Sequence, residues 1–178
     1  MCYNVYETLK GQRERRNNMK AVVIYYSQSC GNTRKIAEMI GLTTGAALAE
    51  LQTVEDYGSD YNAVMAKARD EINSGYIPEL KPLPVNLDDY DTVIIGTPTW
   101  WYTMAPAVRA FLRSTDLTGK RVYAFQTHGG QPGSALKDMR RLSKGENIGD
   151  FAVEFDSEGG ARMQTSLDDL RAWIGDIK

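Results

Sequence analysis

The chain of 178 residues is 42% hydrophobic and 25% charged, a composition ordinary for a globular protein of one domain. Residues 21–178 carry 16 Lys and Arg against 21 Asp and Glu, and this acidic balance argues against nucleic acid as the main partner. No apolar run approaches the ~18 residues of a membrane span, and the first residues lack the apolar centre of a secretory signal. We therefore expect a cytoplasmic protein that does not bind membranes.

The first 20 residues differ from the rest in charge, with five Lys and Arg against two Asp and Glu. We interpret residues 1–19 as a flexible extension ahead of a single domain at residues 20–178. The alternative is a short arm that binds nucleic acid or a membrane. Met1 and Met19 are both candidates for the native start.

The cysteine content is low. Cys2 lies in the polar N-terminal segment and Cys30 in a predicted loop. Two isolated thiols provide neither a disulfide framework nor the spacing of a metal site, so we expect a reducing compartment and no bound metal.

Apolar runs alternate with helical patterns from Lys20 onward. Short runs rich in β-branched and aromatic residues predict buried strands, and apolar residues three or four apart predict helices. The predicted strands cover residues 21–26, 47–54, 92–96, 121–125 and 151–155. The predicted helices cover residues 32–41, 61–73, 106–112 and 135–142, and a last one begins after Ser166. This alternation implies an α/β fold, a parallel sheet with helices on both faces.

Capping and breaking residues support several of these boundaries. Gly75 would end the second helix, and Pro106 suits the first turn of the third. Ser166 is a good N-cap for the last helix. Three prolines within residues 77–89 predict a connecting loop there.

A first polar segment lies between the first strand and the first helix. It consists of Ser27, Gln28, Ser29, Cys30, Gly31, Asn32 and Thr33. Hydroxyl groups and the free N–H groups of a helix N-terminus are donors that a phosphate needs, and Gly31 would let the backbone approach closely. The segment matches neither G-x-x-x-x-G-K-[ST] nor G-x-G-x-x-G, so we expect neither an NTPase loop nor a dinucleotide site. The alternative is an ordinary N-cap preceded by a turn.

A second segment follows the strand at residues 92–96 and is rich in aromatic residues. It contains Thr97, Pro98, Thr99, Trp100, Trp101 and Tyr102. Three consecutive large aromatics in a loop are costly to expose, and a flat ligand ring stacked on one of them would explain their presence. Alternatively, they cap the sheet edge or fill a contact between subunits.

A third segment follows the strand at residues 121–125. It contains Thr127, His128, Gly129 and Gly130. Its glycines predict an irregular loop with exposed N–H groups. His128 is the only histidine in the chain, and near a ligand ring it would balance negative charge, because its ordinary pKa is close to neutrality. The alternative is an ordinary surface histidine.

All three segments follow the C-terminal ends of predicted strands. In an open parallel sheet these ends line one edge, and ligands bind there beside the point where the strand order reverses. We therefore expect the three segments to meet at one site.

Taken together, the segments resemble those of the flavodoxin family. The first resembles its S/T-x-T-G-N-T phosphate loop, IGTPTWWYTMAPAVRAFL resembles its I-G-x-P-x-W-W-G stretch, and FQTHGG resembles its third flavin loop. The resemblance extends from about Lys20 to the C-terminus. It implies a flavodoxin-like three-layer sandwich with a five-stranded parallel sheet of order 2-1-3-4-5, and FMN at the switch between strands one and three.

The resemblance also implies a role for each segment. The first would hold the FMN phosphate, the second would face the isoalloxazine and ribityl groups, and the third would line the other side of the ring. Cys30 is one residue more than the family's loop has, so Gln28 or Cys30 must bulge. Tyr102 stands where the family often has Gly, whose peptide can flip towards the reduced flavin, so control of the flavin potential is expected to differ.

The resemblance implies an electron carrier that passes electrons through bound FMN, with acidic patches that steer redox partner proteins. The alternative is an FMN-dependent NAD(P)H oxidoreductase that acts on quinones or similar small acceptors, for which the aromatic cluster would be suited. A third hypothesis is an interaction scaffold that has lost its cofactor. No side chain is assigned a catalytic role, and the oligomeric state, monomer or homodimer, stays open.

Overall fold

The computed structural model of the chain describes residues 20–156 and 160–178. The expectations about residues 1–19, including Cys2 and the native start, lie outside the described residues. The described residues form six strands: β1 (Ala21–Tyr25), β2 (Ala47–Glu50), β3 (Thr92–Trp100), β4 (Thr103–Met104), β5 (Arg121–His128) and β6 (Glu146–Glu154). The helices are α1 (Asn32–Thr44), α2 (Tyr61–Ser74), α3 (Pro106–Ser114), α4 (Ala135–Leu142) and α5 (Leu167–Asp176). None of these helices is long and apolar enough to cross a membrane.

The sheet has the predicted strand order. Its parallel strands lie in the order β2-β1-β3-β5-β6, and β4 is an additional short strand that pairs antiparallel with β3. After β1 the chain moves to β2 on one side, and after β3 it moves to β5 on the other. A crevice therefore opens at the carboxyl ends of β1 and β3, which is the usual ligand position in such sheets.

Two apolar cores lie on opposite faces of the sheet. Helices α2, α3 and α4 pack on one face and helices α1 and α5 on the other. Alternate residues of β1 point to opposite faces of the sheet. Val22 and Ile24 enter the core on the side of α2, α3 and α4, whereas Val23 enters the core on the side of α1 and α5. This two-sided burial explains why the sequence of β1 is an unbroken apolar run.

Strand β3 is longer than predicted, and this difference matters for the site. The prediction ended at Gly96, whereas the strand continues to Trp100. Beyond Gly96 it stays paired with β5, with Thr97 opposite Gln126 and Pro98 opposite Thr127, and it then turns back into β4. The first half of the expected aromatic loop is therefore strand.

Two other strands also differ from the prediction in where they begin or end. Strand β2 ends at Glu50 instead of residue 54, and Thr53 forms only an isolated bridge with Leu80. Strand β6 begins at Glu146 instead of residue 151, and its pairing with β5 contains a bulge between Asn147 and Gly149. The predicted caps are confirmed: Gly75 has φ 71° at the end of α2, and Ser166 Oγ accepts hydrogen bonds from the first turn of α5.

Gly96 lies at a point of close approach within the sheet. It pairs with Phe125 of β5, whose side chain is fully buried, and a β-carbon at residue 96 would overlap three carbons of the Phe125 ring. The absence of a side chain at residue 96 therefore leaves room for the Phe125 ring in the core.

We expect Gly96→Ala to lower the free energy of unfolding by about 1–3 kcal/mol, because the added methyl overpacks the core around Phe125. Gly175→Ala in α5 is the control, since a β-carbon there meets no atom within 4 Å and Ala favours helix. Urea unfolding followed by circular dichroism measures both changes. A Gly96→Ala protein as stable as the wild type would show that the ring can move aside at little cost.

Candidate functional site

A cavity of about 300 Å³ lies at the carboxyl edge of the sheet and collects residues from all three polar segments. Those from the three segments are Gln28, Ser29, Cys30, Asn32 and Thr33; Pro98, Thr99 and Trp100; and Thr127, His128 and Gly129. The expected site residues that do not line the cavity are Ser27, Gly31, Thr97, Trp101, Tyr102 and Gly130. Segments far apart in the chain thus meet at the edge where parallel strands end.

The first segment accommodates its extra residue in a tight turn. The N–H of Gly31 donates to the carbonyl of Gln28 at 3.2 Å, so Ser29 and Cys30 form the exposed tip of a four-residue turn. Ser29 has φ 54°, a left-handed conformation that is uncommon for a residue with a side chain. The Gln28 side chain leaves the turn and donates to the carbonyl of Gly58 at 2.7 Å.

The N-terminus of α1 presents donors to the cavity. Gly31 caps the helix with φ 70°, and a β-carbon at that position would meet open space. Ser27 Oγ accepts a hydrogen bond from the backbone N–H of Arg34 at 3.2 Å, so the third residue of the helix has a partner for its N–H group. Helix geometry gives the N–H groups of Asn32 and Thr33 no acceptor inside the helix, so they are available to an anion.

The cation in the first turn of α1 is turned away from the cavity. The Arg34 guanidinium donates two hydrogen bonds of 2.7 Å to the carboxylate of Glu50 on β2. The Lys35 ammonium lies 3.4 Å from Asn32 Oδ1, beside the segment. The donors that line this end of the cavity are therefore hydroxyl and amide groups.

A buried hydrogen bond connects the first and third segments. The Thr33 and Thr127 hydroxyls lie 2.8 Å apart, and both side chains are almost fully buried. Each hydroxyl has one hydrogen and two lone pairs, so the pair can still bond a ligand. The bond fixes the start of α1 against the end of β5.

Two threonines of the second segment have different roles. Thr97 is fully buried; its hydroxyl donates to the carbonyl of Pro98 at 2.9 Å and accepts the N–H of Ala105 at 3.0 Å. This satisfied hydroxyl holds the return of the chain into α3, which explains why Thr97 does not face the cavity. Thr99 lines the cavity, and its buried Oγ1 has no hydrogen-bond partner in the structure. Such an atom carries a desolvation cost unless a ligand or water bonds it.

Trp100 forms a rigid wall of the cavity. It is 7% exposed and packs edge-to-face against Tyr26 and Tyr57, with ring centroids 5.5 and 5.2 Å away. The Tyr57 hydroxyl donates to Glu71, a carboxylate that is itself only 7% exposed. Burial, with the hydrogen bond and charge of Glu71, raises the pKa of Tyr57 well above its ordinary value, so Tyr57 remains a donor.

Trp101 and Tyr102 form the two-residue turn between β3 and β4. Their φ angles are 46° and 65°, the geometry of a turn that normally contains Asn and Gly. Side-chain and backbone contacts hold the turn: Trp101 Nε1 donates to the carbonyl of Met65 at 2.9 Å, and the Tyr102 carbonyl accepts the N–H of Ser134 at 2.7 Å. The Gly133 backbone lies so close to Tyr102 that a β-carbon there would overlap it.

His128 lies at the end of β5 and lines the cavity half-buried. Its Nδ1 accepts the N–H of Gly130 at 3.2 Å, which assigns the proton of the neutral ring to Nε2. Burial lowers the pKa of His128, and the charge of Glu154 opposes this shift only in part. The imidazole is therefore predominantly neutral at pH 7.

Four residues that line the cavity were not predicted to do so: Tyr61, Val64, Met65 and Phe155. Phe155 directly follows β6, so extending the strand-end argument to the last strand would have found it. The other three belong to α2, which packs on the opposite face of the sheet from α1. Their apolar spacing indicated a core helix and carried no sign of a ligand.

The chain is similar in fold to known flavoproteins. A provisionally assigned flavoprotein from Bacteroides eggerthii is 27% identical, with a TM-score of 0.70 over 90% of this chain and 98% of that one. A flavoprotein from Lactobacillus acidophilus, solved in complex with FMN, is 24% identical, with a TM-score of 0.65 over 75% of this chain and 93% of that one. A WrbA-like flavodoxin from Agrobacterium tumefaciens is 16% identical, with a TM-score of 0.55 over 89% and 94% of the two chains.

Sequence comparison identifies the family. No curated protein matches the chain at a significant level. A family model described as flavodoxin matches residues 20–177, which contain all three segments of the cavity. The fold, the strand order and this match agree. The chain therefore belongs to the flavodoxin family.

Proposed function

We propose that the cavity binds FMN and that the protein uses it to carry electrons between redox partners. The observation that carries this proposal is the convergence of the three segments on a cavity in which the buried Thr99 hydroxyl has no partner. A ligand with polar groups would satisfy that oxygen. The similar fold of the Lactobacillus acidophilus protein, solved with FMN, supports the choice of ligand.

The phosphate end of the site would be the N-terminus of α1. The N–H groups of Asn32 and Thr33 and the hydroxyls of Ser29 and Thr33 are donors there, and the positive end of the helix dipole favours an anion. Open space beside Gly31 leaves the backbone accessible. Because Arg34 is paired with Glu50, these neutral donors would do most of the work of binding.

The ring end of the site would be the wall formed by Trp100 together with Thr99, Thr127 and His128. Trp100 is held by Tyr26 and Tyr57, so it presents a fixed apolar surface and excludes water. Nε2–H of the neutral His128 ring is available as a donor. FMN supplies one- and two-electron redox chemistry when bound, and the protein contributes orientation, shielding and local charge.

The cavity lining suits a carrier. Among the residues that the structure describes there, none is a carboxylate, a lysine or an arginine, so the site offers shielding without a charged acid or base. A second candidate is an NAD(P)H oxidoreductase for quinones or similar acceptors. It is favoured by the aromatic side chains near the cavity, because Tyr61, Trp101 and Tyr102 are 52%, 43% and 60% exposed and would suit a flat substrate.

The two candidates predict different behaviour with a nicotinamide donor. For a carrier, we expect no sustained turnover when the FMN-loaded protein is mixed with NADPH or NADH and a quinone, because it needs a separate reductase. The measurement is donor oxidation at 340 nm, with free FMN at equal concentration as the control. Rapid multiple turnover above that control would establish the oxidoreductase instead.

We expect Thr33→Val to raise the Kd for FMN about tenfold, since a hydrogen bond to a charged group contributes ~1.5–3 kcal/mol. Thr43→Val is a matched control on the same helix, because the Thr43 hydroxyl bonds only within α1, to the carbonyl of Met39. Quenching of FMN fluorescence on binding gives both dissociation constants. An unchanged Kd for Thr33→Val would remove this hydroxyl from the phosphate site.

We expect Thr99→Val to change two properties in opposite directions. The FMN-free protein should be more stable by about 1 kcal/mol, because an unsatisfied buried hydroxyl is removed. The Kd for FMN should rise several-fold, because the ligand loses a partner. Urea unfolding and FMN titration measure the two effects. Equal FMN affinity in the variant and the wild type would show that Thr99 does not contact the ligand.

A further inference from the structure

Charge is distributed very unevenly over the domain. Residues 106–144 carry eight Lys and Arg against two Asp and Glu, whereas the remaining residues from 20 onward carry nine against nineteen. The first stretch therefore has a net charge of +6 and the rest a net charge of −10. An acidic domain thus contains a strongly basic region formed around α3 and α4.

Three of these eight cations are bound to other parts of the protein. Lys120 donates to backbone carbonyls, Arg121 donates to the carbonyl of Lys178, and Arg140 pairs with Asp150. The other five form what we call the basic face: Arg109, Arg113, Lys137, Arg141 and Lys144. Within residues 20–156 and 160–178, Arg141 is the only member with an ion pair, to Asp138 at 3.3 Å.

The cations of the basic face lie close enough to affect one another. Arg109 and Arg113 are four residues apart on α3, as are Lys137 and Arg141 on α4, so each pair shares one side of its helix. Burial, followed by the charge of Arg113 and with a further contribution from Arg141, lowers the pKa of Arg109; Asp138 opposes the shift. Without a binding partner, this crowding of like charge is unfavourable.

The basic face adjoins the aromatic turn beside the cavity. Asp138 Oδ2 accepts the hydroxyls of Thr103 at 3.0 Å and Ser134 at 2.5 Å, while Asp138 Oδ1 bonds Arg141. Ser134 in turn holds the carbonyl of Tyr102, whose side chain is exposed. A short chain of hydrogen bonds therefore connects the basic face to the hairpin that carries Trp100.

From this arrangement we propose that the basic face, together with Tyr102, docks an acidic electron-transfer protein. This rests on the proposed electron-carrier function and identifies the chemistry of its partner. It also reverses the expectation, stated with the electron-carrier hypothesis, that acidic patches steer the partner. Acidic residues remain on other sides of the cavity, where Asp60 and Glu154 are exposed. They would repel the same partner and fix its orientation.

A protein fits the basic face better than other anions. Four of the five cations lie on two neighbouring helices, and Lys144 lies just beyond the end of α4. Together they cover more than one phosphate group can contact, and four of them are exposed. A long polyanion such as nucleic acid would extend onto the rest of the domain, whose residues carry a net charge of −10. A compact acidic protein can meet the basic face and avoid the rest.

The test uses two redox proteins of opposite charge as probes, an acidic plant-type [2Fe–2S] ferredoxin and a basic cytochrome c. Stopped-flow absorbance gives the second-order rate constant for transfer of one electron from reduced ferredoxin to the FMN-loaded protein. The ionic strength is varied from about 50 to about 500 mM, a range over which salt increasingly screens the attraction between charged surfaces. Parallel reactions measure the transfer of one electron from the protein with reduced FMN to oxidised cytochrome c. NMR titration of the FMN-free protein with ferredoxin completes the set.

The variant Arg109→Gln/Arg113→Gln/Arg141→Gln removes three charges from the basic face. The matched control Lys81→Gln/Arg171→Gln/Lys178→Gln makes the same change in net charge at exposed positions elsewhere. We expect the ferredoxin rate at low salt to fall at least tenfold in the first variant and less than twofold in the control. The wild-type rate should fall as salt rises, and the cytochrome c rate should not fall in the first variant.

Three outcomes would overturn the proposal: equal effects of the two variants, a ferredoxin rate that rises with salt, or NMR titrations with NADPH and with DNA in which either binds the basic face while ferredoxin does not. Failure of the proposed function itself looks different. In that case FMN does not bind, yet the NMR titration of the FMN-free protein still reports whether ferredoxin contacts the basic face.

Discussion

The cavity and the basic face both depend on the β3–β4 hairpin. Its pairing of Trp100 with Thr103 forces Trp101 and Tyr102 into the left-handed region, at a cost of about 1–2 kcal/mol each. Hydrogen bonds to the carbonyls of Met65 and Tyr102 offset this strain. As a result the hairpin presents Trp100 to the cavity on one side and Tyr102 to solvent beside the basic face on the other. Strain at such a turn persists only where the surrounding structure holds it, and here α2 and the start of α4 do so.

Features that depend on near neighbours could be predicted from the sequence. Gly75 ends α2 and Ser166 caps α5 because each acts within one helical turn of its own position. The meeting of the three polar segments could also be predicted, although they are far apart in the chain. It follows from the parallel direction of the strands, because parallel strands place all their carboxyl ends at one edge. The extra residue of the first segment was recognised as well, and the turn at Ser29 and Cys30 accommodates it.

Features that depend on distant partners could not be predicted. Pro98 lacks an N–H group and normally indicates a break in a strand, yet β3 continues through it because β5 lies alongside. Trp100 therefore lies in a strand, packed by Tyr57 from a different part of the chain. Tyr61 enters the cavity only because α2 packs on the sheet face next to it. In each case a tertiary contact decides the outcome, and no local pattern encodes it.

Charged groups are distributed differently at the proposed phosphate site and at the basic face, although the overall net charge is only −2. Near the proposed phosphate site, Glu50 holds the Arg34 guanidinium, so phosphate binding there would rely on short-range hydroxyl and amide donors that salt screens little. The cations of the basic face, of which only Arg141 has an ion pair among the described residues, lie on α3, on α4 and just beyond the end of α4. Their field extends through solvent over roughly 8–10 Å at physiological salt. A partner approaching this side therefore meets a positive surface first, although the domain as a whole is negative. Net charge describes the behaviour of the chain at long range, whereas the proposed docking would depend on the few cations of the basic face.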